Sequence, residues 1–206
     1  TSASSLPQAA LIDAGQLGCA DRHQRLLSSL DESRRRASEL VVEAESLLSQ
    51  GKVEEGKQCA QEALEAFHQR GDTVGSIDCI RIIVQGERAK GRLKEAHEVA
   101  YQHLEAFRSS GDKASEAKML LTLAHVNHDK RGSKNRERAL QWALEARRVF
   151  AELGEAKLEA QALLALVNVV LKKRGDRRKA AEEIKQLVGS AVPLLRDVGD
   201  KRGEGV

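Results

Sequence analysis

Apolar residues recur along this chain at intervals of three and four, which is the spacing of one face of an α-helix. In the stretch from Asp31 to Gln50, for example, Ala37, Leu40 and Ala44 fall on a single helical face. The same pattern returns several times, and it predicts an all-α protein. The predicted helices lie at about 22–30, 31–50, 53–69, 72–90, 93–109, 112–130, 136–153, 155–174 and 177–198.

Glycines divide these helical stretches at regular intervals. Two series repeat every 40 to 45 residues: Gly51, Gly91, Gly132 and Gly175, and Gly71, Gly111, Gly154 and Gly199. Glycine just past a helix end readily takes the left-handed conformation that stops the helix. The sequence Leu-Glu-Ala-Phe precedes Gly71 and again precedes Gly111, with phenylalanine four residues before each glycine. The spacing therefore predicts one helix-turn-helix unit that is repeated.

Four repeats account for most of the chain. They span 31–71, 72–111, 112–154 and 155–199, after a tail and lead-in helix at 1–30. Residues 200–206 either open a fifth repeat or form a tail. Pro193 lies inside the last helical pattern, and because proline lacks an N–H it predicts an end or kink there, with 189–198 as a separate short helix.

A helix-turn-helix unit with a small residue in each helix and a ring near its end resembles the tetratricopeptide repeat (TPR) family. The small positions are Ala44, Val84, Ala124 and Val167 in the first helices, and Gly56, Ala96, Ala139 and Ala180 in the second. The units are longer than the family's usual repeat of about 34 residues and end in Gly-Asp or Gly-Glu, as in its longer-helix branch. The resemblance implies an α-solenoid of stacked hairpins wound into a right-handed superhelix.

The composition fits closely packed helices, since 41% of residues are hydrophobic and only 2% are aromatic. The net charge of +3 is small, so electrostatic arguments depend on where charges cluster. Cys19, Cys59 and Cys79 are an odd number without CxxC spacing, which indicates free thiols in a reducing compartment. We therefore expect an intracellular location, with the cytoplasm as the default, and because the sequence has no apolar run of 18 residues we expect no transmembrane segment. An organelle stays open because the chain begins with Thr1.

The chain contains no phosphate-binding GxxxxGK[ST] motif, no GxGxxG motif and no GxSxG motif. His125 and His128 share a helix face beside Asp129, but no other helix offers an obvious third metal ligand. We therefore predict no catalytic residues, no metal and no cofactor, and we do not expect an enzyme. These histidines are instead expected to face a partner.

The resemblance also implies that the first helix of each repeat lines a concave groove. The family's groove positions correspond to Ser38, Val41, Glu45 and Leu48; Asp78, Arg81, Gln85 and Arg88; Lys118, Leu121, His125 and His128; and Leu164, Asn168 and Leu171. We expect Arg81, Gln85, Arg88, Lys118, His125, His128 and Asn168 to contact the partner. Such a mixed polar surface suits an extended or helical peptide with some acidic character. The leading hypothesis is a non-catalytic scaffold that holds a partner protein within a larger complex.

A second candidate surface is the row of turns inside the hairpins, which we name the basic ridge. Its residues are Lys130, Arg131, Lys134, Arg136, Arg138, Lys172, Lys173, Arg174, Arg177, Arg178 and Lys179. Stacked repeats would align these turns, and the ridge would attract RNA or another anionic surface. Basic residues also favour helix C-termini through the helix dipole, so a structural role is an alternative. An accessory subunit that docks through the basic ridge is the second hypothesis.

Overall fold

The computed structural model describes residues 19–29, 31–172 and 177–203, and in these ranges it contains helices and no strands. The helices are α1 (Cys19–Leu26), α2 (Glu32–Ser49), α3 (Val53–Gln69), α4 (Thr73–Ala89), α5 (Leu93–Ser110), α6 (Lys113–Asp129), α7 (Ser133–Glu152), α8 (Ala156–Leu171) and α9 (Arg177–Gly203). A short 3-10 helix, Leu27–Ser29, follows α1. The all-α prediction is confirmed, and most predicted helices match to within two residues.

The chain divides into two compact units, 1–100 (unit 1) and 101–206 (unit 2), with the division inside α5. In unit 1, α1 packs on α2, α2 on α3 and α3 on α4, and α2 also contacts α4 directly. In unit 2, α6, α7, α8 and α9 pack in the same consecutive way, and α6 contacts α8. Contact between alternate helices is what stacked helical hairpins produce, and it agrees with an all-α helical repeat. The right-handed superhelix stays a prediction.

The glycine turns form as the spacing predicts. Six of the seven described glycines of the two series have a positive φ, between 66° and 110°, and the seventh, Gly199, lies inside helix α9. After α3, the Gly71 N–H bonds the His68 carbonyl at 3.1 Å and the Asp72 N–H bonds the Phe67 carbonyl at 3.0 Å. This pair of bonds is the Schellman motif, and it recurs after α2, α4, α5 and α7. Gly175 lies outside the described residues.

Aspartates that follow the turn glycines begin the next helices. The Asp72 carboxylate accepts a bond from the Gly75 N–H at 2.9 Å, and Asp112 accepts one from the Ser115 N–H at 3.0 Å. Each bond satisfies a backbone donor that has no partner within its own helix. A Gly-Asp pair thus both ends one helix and starts the next, which explains its repetition in the sequence.

Small residues lie where helices approach closely. Ala44, Val84, Ala96, Ala124 and Ala139 are fully buried, as the repeat pattern predicts. A Cβ placed on Gly56 would lie 2.9 Å from the Ala44 carbonyl oxygen, and one on Gly75 would lie 2.5 Å from the Phe67 ring. Val167 and Ala180 are half-buried. The described seams between helices therefore depend on the absence of side-chain volume at particular positions.

The last helix differs from the prediction. Helix α9 continues through Pro193 and Gly199 to Gly203, so the predicted break at 189–198 and the predicted turn at Gly199 are both wrong. Proline removes one hydrogen bond, to the Gly189 carbonyl, and both residues are exposed, so water can satisfy that carbonyl. Glycine inside a helix costs only about 1 kcal/mol relative to alanine, so Gly199 alone does not end it. Residues 204–206 lie outside the described ranges.

Two smaller differences concern helix starts. Helix α7 begins at Ser133, three residues before the predicted start at Arg136. Helix α1 begins at Cys19, inside the segment expected to be a tail, and ends at Leu26 before the 3-10 helix.

A charged cluster joins three helices of unit 2. The Arg108 Nε donates to Glu116 Oε1 at 3.0 Å, and the same guanidinium lies 3.4 Å from Glu145 on α7. Lys113 Nζ lies 2.8 Å from the other Glu116 oxygen. Although burial raises the pKa of Glu116, the hydrogen bonds from Lys113 and Arg108 outweigh it and leave that pKa below its usual value. The ionised form of Glu116 is therefore favoured in the folded protein.

We expect Glu116→Gln to lower the free energy of unfolding by about 1–2 kcal/mol at pH 7, because it removes charged hydrogen bonds at a nearly buried site. A carboxyl whose pKa is lowered by folding stabilises above its unfolded pKa and loses that effect as pH falls through the folded value. The deficit of the variant should therefore shrink below about pH 4.5, the carboxyl's usual value. Urea unfolding of both proteins at several pH values measures this difference in the free energy of unfolding. Glu105→Gln, at a more exposed partner of Arg108, is the control, and an unchanged deficit at low pH would contradict this assignment.

Two matched glycine substitutions test the packing. Gly75→Ala should destabilise the protein by about 1–3 kcal/mol, because its Cβ would overlap the buried Phe67 ring. Gly189→Ala should stabilise by up to about 1 kcal/mol, because a Cβ at this position in α9 would have no neighbour within 4 Å and alanine favours helix. Urea unfolding gives both values, and changes of equal sign would contradict the described packing.

Candidate functional site

The first helices of unit 1, α2 and α4, place polar side chains on one shared face. Ser38 and Glu45 belong to α2, whereas Asp78 and Arg81 belong to α4. All four occupy groove positions that the repeat resemblance selected, and all four are at most 5% exposed. Buried polar and charged groups are stable only when hydrogen-bonded or paired, so each of them needs a partner on that face.

Helix α1 supplies these partners. The Ala20 N–H donates to Glu45 Oε2 at 2.5 Å, and His23 Nδ1 lies 2.9 Å from Ser38 Oγ. The Arg22 guanidinium forms an ion pair with the Asp78 carboxylate and donates to the Val74 carbonyl at 3.2 Å. These contacts connect one turn of α1 to both α2 and α4. A helix is therefore bound across the two first helices of unit 1.

The Glu45 contact has a specific physical basis. The first N–H groups of a helix have no partner within the helix, and the helix dipole places partial positive charge at that end. The Glu45 carboxylate accepts a hydrogen bond from the Ala20 N–H in the first turn of α1. Its negative charge also lies at the end of the helix where the dipole is positive. This face thus contacts a backbone N–H in the first turn of α1 as well as individual side chains.

Two side chains of α1 are buried in this contact. His23 is 3% exposed, and its ring centroid lies 5.6 Å from that of Phe67 on α3. Cys19 is 1% exposed and accepts a hydrogen bond from Arg81 Nη1 at 3.8 Å. Burial, followed by the negative charge of Asp78, raises the pKa of the Cys19 thiol well above its usual value. The thiol is therefore held neutral in the bound helix.

The predicted partner-binding residues of α4 are buried in the same region. Arg81, Gln85 and Arg88 are between 2% and 5% exposed. The Arg88 guanidinium hydrogen-bonds the Gln85 side chain, and Arg81 contacts Cys19 and lies 3.9 Å from Asp78. A role in binding a partner stays a prediction for these three residues. In the described state a partner could reach them only after the region is uncovered.

The predicted partner-binding residues of unit 2 are more accessible. Lys118, His125 and His128 on α6 are half-buried, and Asn168 on α8 is exposed. Two apolar groove positions flank Asn168 and are also exposed: Leu164 at 37% and Leu171 at 64%. The structure thus brings the unit 2 positions onto two helices that contact each other and leaves them open.

The basic ridge lies in unit 2. Arg131, Lys134, Arg138, Lys172, Arg177, Arg178 and Lys179 are exposed, whereas Lys130 and Arg136 are half-buried. Lys172 Nζ donates to the His128 carbonyl at 3.2 Å, which links the ends of α6 and α8 and brings two basic turns together. Lys173 and Arg174 lie outside the described residues. Lys90 and Arg92, at the corresponding turn of unit 1, both pair with Glu54.

A cleft of about 540 Å³ adjoins α1 in unit 1. Its walls include Arg22 and Leu26 of α1, Arg34 of α2 and Arg70 at the end of α3. Arg70 pairs with the Asp31 carboxylate at 3.3 Å, and the hydrogen bond from the Arg34 N–H leads the causes that lower the Asp31 pKa. The cleft borders the partly exposed side of Arg22 and gives a bound helix open space on one flank.

Two further features bear on function. No group of three or more histidine, cysteine or acidic residues is arranged to hold a metal ion within the described parts of the chain. Among the helices whose residues are described, none is long and apolar enough to cross a membrane.

Sequence reasoning did not identify Cys19, Arg22 and His23 as functional residues. It placed the N-terminal segment apart from the repeats, because periodicity reports which face of a helix is apolar and not where a short helix docks. The only indication of this contact in the sequence was the pair of carboxylates at groove positions, Asp78 and Glu45, because carboxylates on such a face require positive partners.

A comparison with known protein families finds no family model that matches this chain, and a comparison with curated proteins finds no match. The candidate site is therefore assigned from the chemistry of its own residues.

Thiol reactivity should separate release of α1 from global unfolding. Half-buried Cys59 should react first with N-ethylmaleimide, while Cys79, inside α4, should react last because its exposure requires unfolding. Arg22→Ala should raise the Cys19 rate roughly ten-fold, because it removes one partner of a largely buried ion pair, and should leave Cys79 unchanged. Peptide mass spectrometry measures all three rates.

Arg25→Ala is the matched control for that measurement. Arg25 is exposed, and its Nε donates to the Asp21 carbonyl within α1 itself. Its removal should leave the Cys19 rate unchanged. Equal acceleration of Cys19 and Cys79 by Arg22→Ala would show instead that α1 unfolds only with the rest of unit 1.

Proposed function

We propose that this protein is a non-catalytic protein–protein interaction scaffold of the tetratricopeptide repeat kind. It binds a helix of a partner protein on the first helices of its repeats and holds that partner within a larger complex. The observation that supports this proposal most directly is α1, an eight-residue helix seated on four groove positions of unit 1: Ser38, Glu45, Asp78 and Arg81.

The bound α1 supports a helical ligand over an extended one. Its backbone contributes one end, through the Ala20 N–H, and its side chains contribute a single face. Helix-in-groove recognition uses anchors three or four residues apart on one face. Cys19, Arg22 and His23 have that spacing and all face α2 or α4. The face therefore has the dimensions and polarity that a short amphipathic helix requires.

Unit 2 offers the equivalent surface in an accessible form. Leu164, Asn168 and Leu171 are exposed along α8, and His125 and His128 are half-buried on the adjacent α6. Exposed apolar side chains flanked by polar ones are typical of protein-binding surfaces. We assign the first contact with the partner to this face, with Asn168 near its centre.

A second candidate function is docking on RNA or another anionic surface through the basic ridge. The bond from Lys172 to the His128 carbonyl favours it, because that bond brings cationic turns of two repeats together. Phosphate contacts of this kind weaken steeply as salt concentration rises. Aromatic side chains for base stacking are scarce in the chain, which favours the scaffold function.

Photo-crosslinking distinguishes the two functions. A photoreactive amino acid is placed at Asn168 on the α8 face, at Lys134 on the basic ridge, or at exposed Gln141 on α7 as the matched control. We expect a protein adduct at position 168 and none at 141 after irradiation in cell extract, with the captured segment identified by peptide mass spectrometry as a helix. Adducts only at position 134, lost at high salt, would favour the basic ridge and contradict the scaffold function.

A further inference from the structure

We propose that unit 1 carries a helix-binding site on α2 and α4 which α1 fills in cis, and that the partner helix which replaces α1 presents an arginine to Asp78. This inference rests on the scaffold function proposed above, and it specifies the partner's chemistry at one site. It also makes α1 an internal competitor of the partner, because α1 must dissociate from the site before the partner helix can bind.

The charges of the site select a basic helix N-terminus. Asp78 and Glu45 are both buried carboxylates, and α1 answers them with the Arg22 guanidinium and the N–H of its first turn. The Arg22 guanidinium lies on the Asp78 carboxylate, so an anionic side chain at the position of Arg22 would lie against a negative charge. A partner helix with a carboxylate at the Arg22 position would therefore be repelled by Asp78, so this proposal differs at that position from the partly acidic partner expected from the sequence.

The shortness of α1 makes it replaceable. It contains eight residues, and isolated helices of that length are unstable in water. Its outward residues, Asp21, Gln24 and Arg25, are exposed, so only one face of the helix is held. Elements with few buried contacts open most easily in folded proteins. A longer partner helix would bury more surface on the same face and would continue into the adjoining cleft.

The fit of α1 is also incomplete. Arg81 is 5% exposed, and among the described residues no acceptor pairs with its Nε. Its Nη1 bonds the Cys19 sulfur at 3.8 Å, and sulfur is a weak acceptor. A neutral oxygen acceptor at that position would satisfy the guanidinium better without adding negative charge. A partner helix with such an acceptor three residues before its arginine should therefore displace α1.

A stapled peptide of residues 19–29 is a suitable probe. A hydrocarbon staple between positions 21 and 25 uses the exposed side of the helix and reduces the entropy lost on binding. Isotope-labelled full-length protein is titrated with this peptide, and NMR shifts at Ser38, Glu45 and Asp78 report the site. The peptide with Arg22→Ala is the matched control ligand.

We expect the peptide to bind the Arg22→Ala protein at least ten-fold more tightly than wild type, because its own α1 no longer competes effectively. Adding Asp78→Asn to that protein should abolish the gain, and the Arg25→Ala protein should behave as wild type. A Cys19→Asn peptide should bind roughly ten-fold more tightly than the unsubstituted one, since its amide oxygen reaches Arg81. Binding should be weak for the Arg22→Ala peptide throughout.

Equal affinity of the peptide for wild type and Arg22→Ala would overturn the proposal, provided that hydrogen exchange shows α1 released in the variant. If α1 stays docked in Arg22→Ala, the Arg22→Ala/His23→Ala protein removes both anchors, and failure of the peptide to bind that folded variant overturns the proposal equally. Either failure leaves the scaffold function standing if crosslinks still form at position 168. Loss of those crosslinks would contradict the scaffold function instead.

Discussion

A single helical hairpin cannot cover its own apolar stripe, and this constraint underlies the whole described structure. The chain meets it with helix pairs joined by tight turns, in which a glycine of positive φ ends one helix. Between successive pairs, Asp72 and Asp112 follow that glycine and begin the next helix. Direct contact between alternate helices then requires small residues at the seams. Consecutive helices also approach closely, since a Cβ on Gly56 or Gly75 would lie within 3 Å of an atom of the preceding helix.

Stacking leaves one face of the first helices uncovered, and in unit 1 that face carries charge. Asp78, Arg81 and Glu45 belong to that face at low exposure, and buried charges require hydrogen-bonding or charged partners. Helix α1 supplies such partners, because Arg22, His23 and the backbone of its first turn contact the same face. The scaffold function that we propose follows from the same chemistry, since a surface that needs a helix for its own stability also selects helices.

Sequence patterns were sufficient for the repeats and insufficient for the site. The three- and four-residue periodicity and the glycine series located α2 to α8 closely, because both are local consequences of backbone geometry. Pro193 was misread because its effect depends on whether the carbonyl four residues earlier can reach water. The docking of α1 joins Arg22 to Asp78 across 56 residues, and no local pattern encodes such a pairing. The sequence placed the Asp78 and Glu45 carboxylates at groove positions but did not show that α1 contacts both.

The central claim is that α1 is a separable ligand of unit 1 and not an integral part of its core. Native-state hydrogen exchange at increasing, sub-denaturing urea tests this claim most directly. The account predicts that α1 amides exchange through a small opening, with lower free energy and weaker urea dependence than amides of α2 and α4. If α1 amides instead share the opening free energy and urea dependence of α2 and α4, then α1 belongs to one cooperative core and the claim is contradicted.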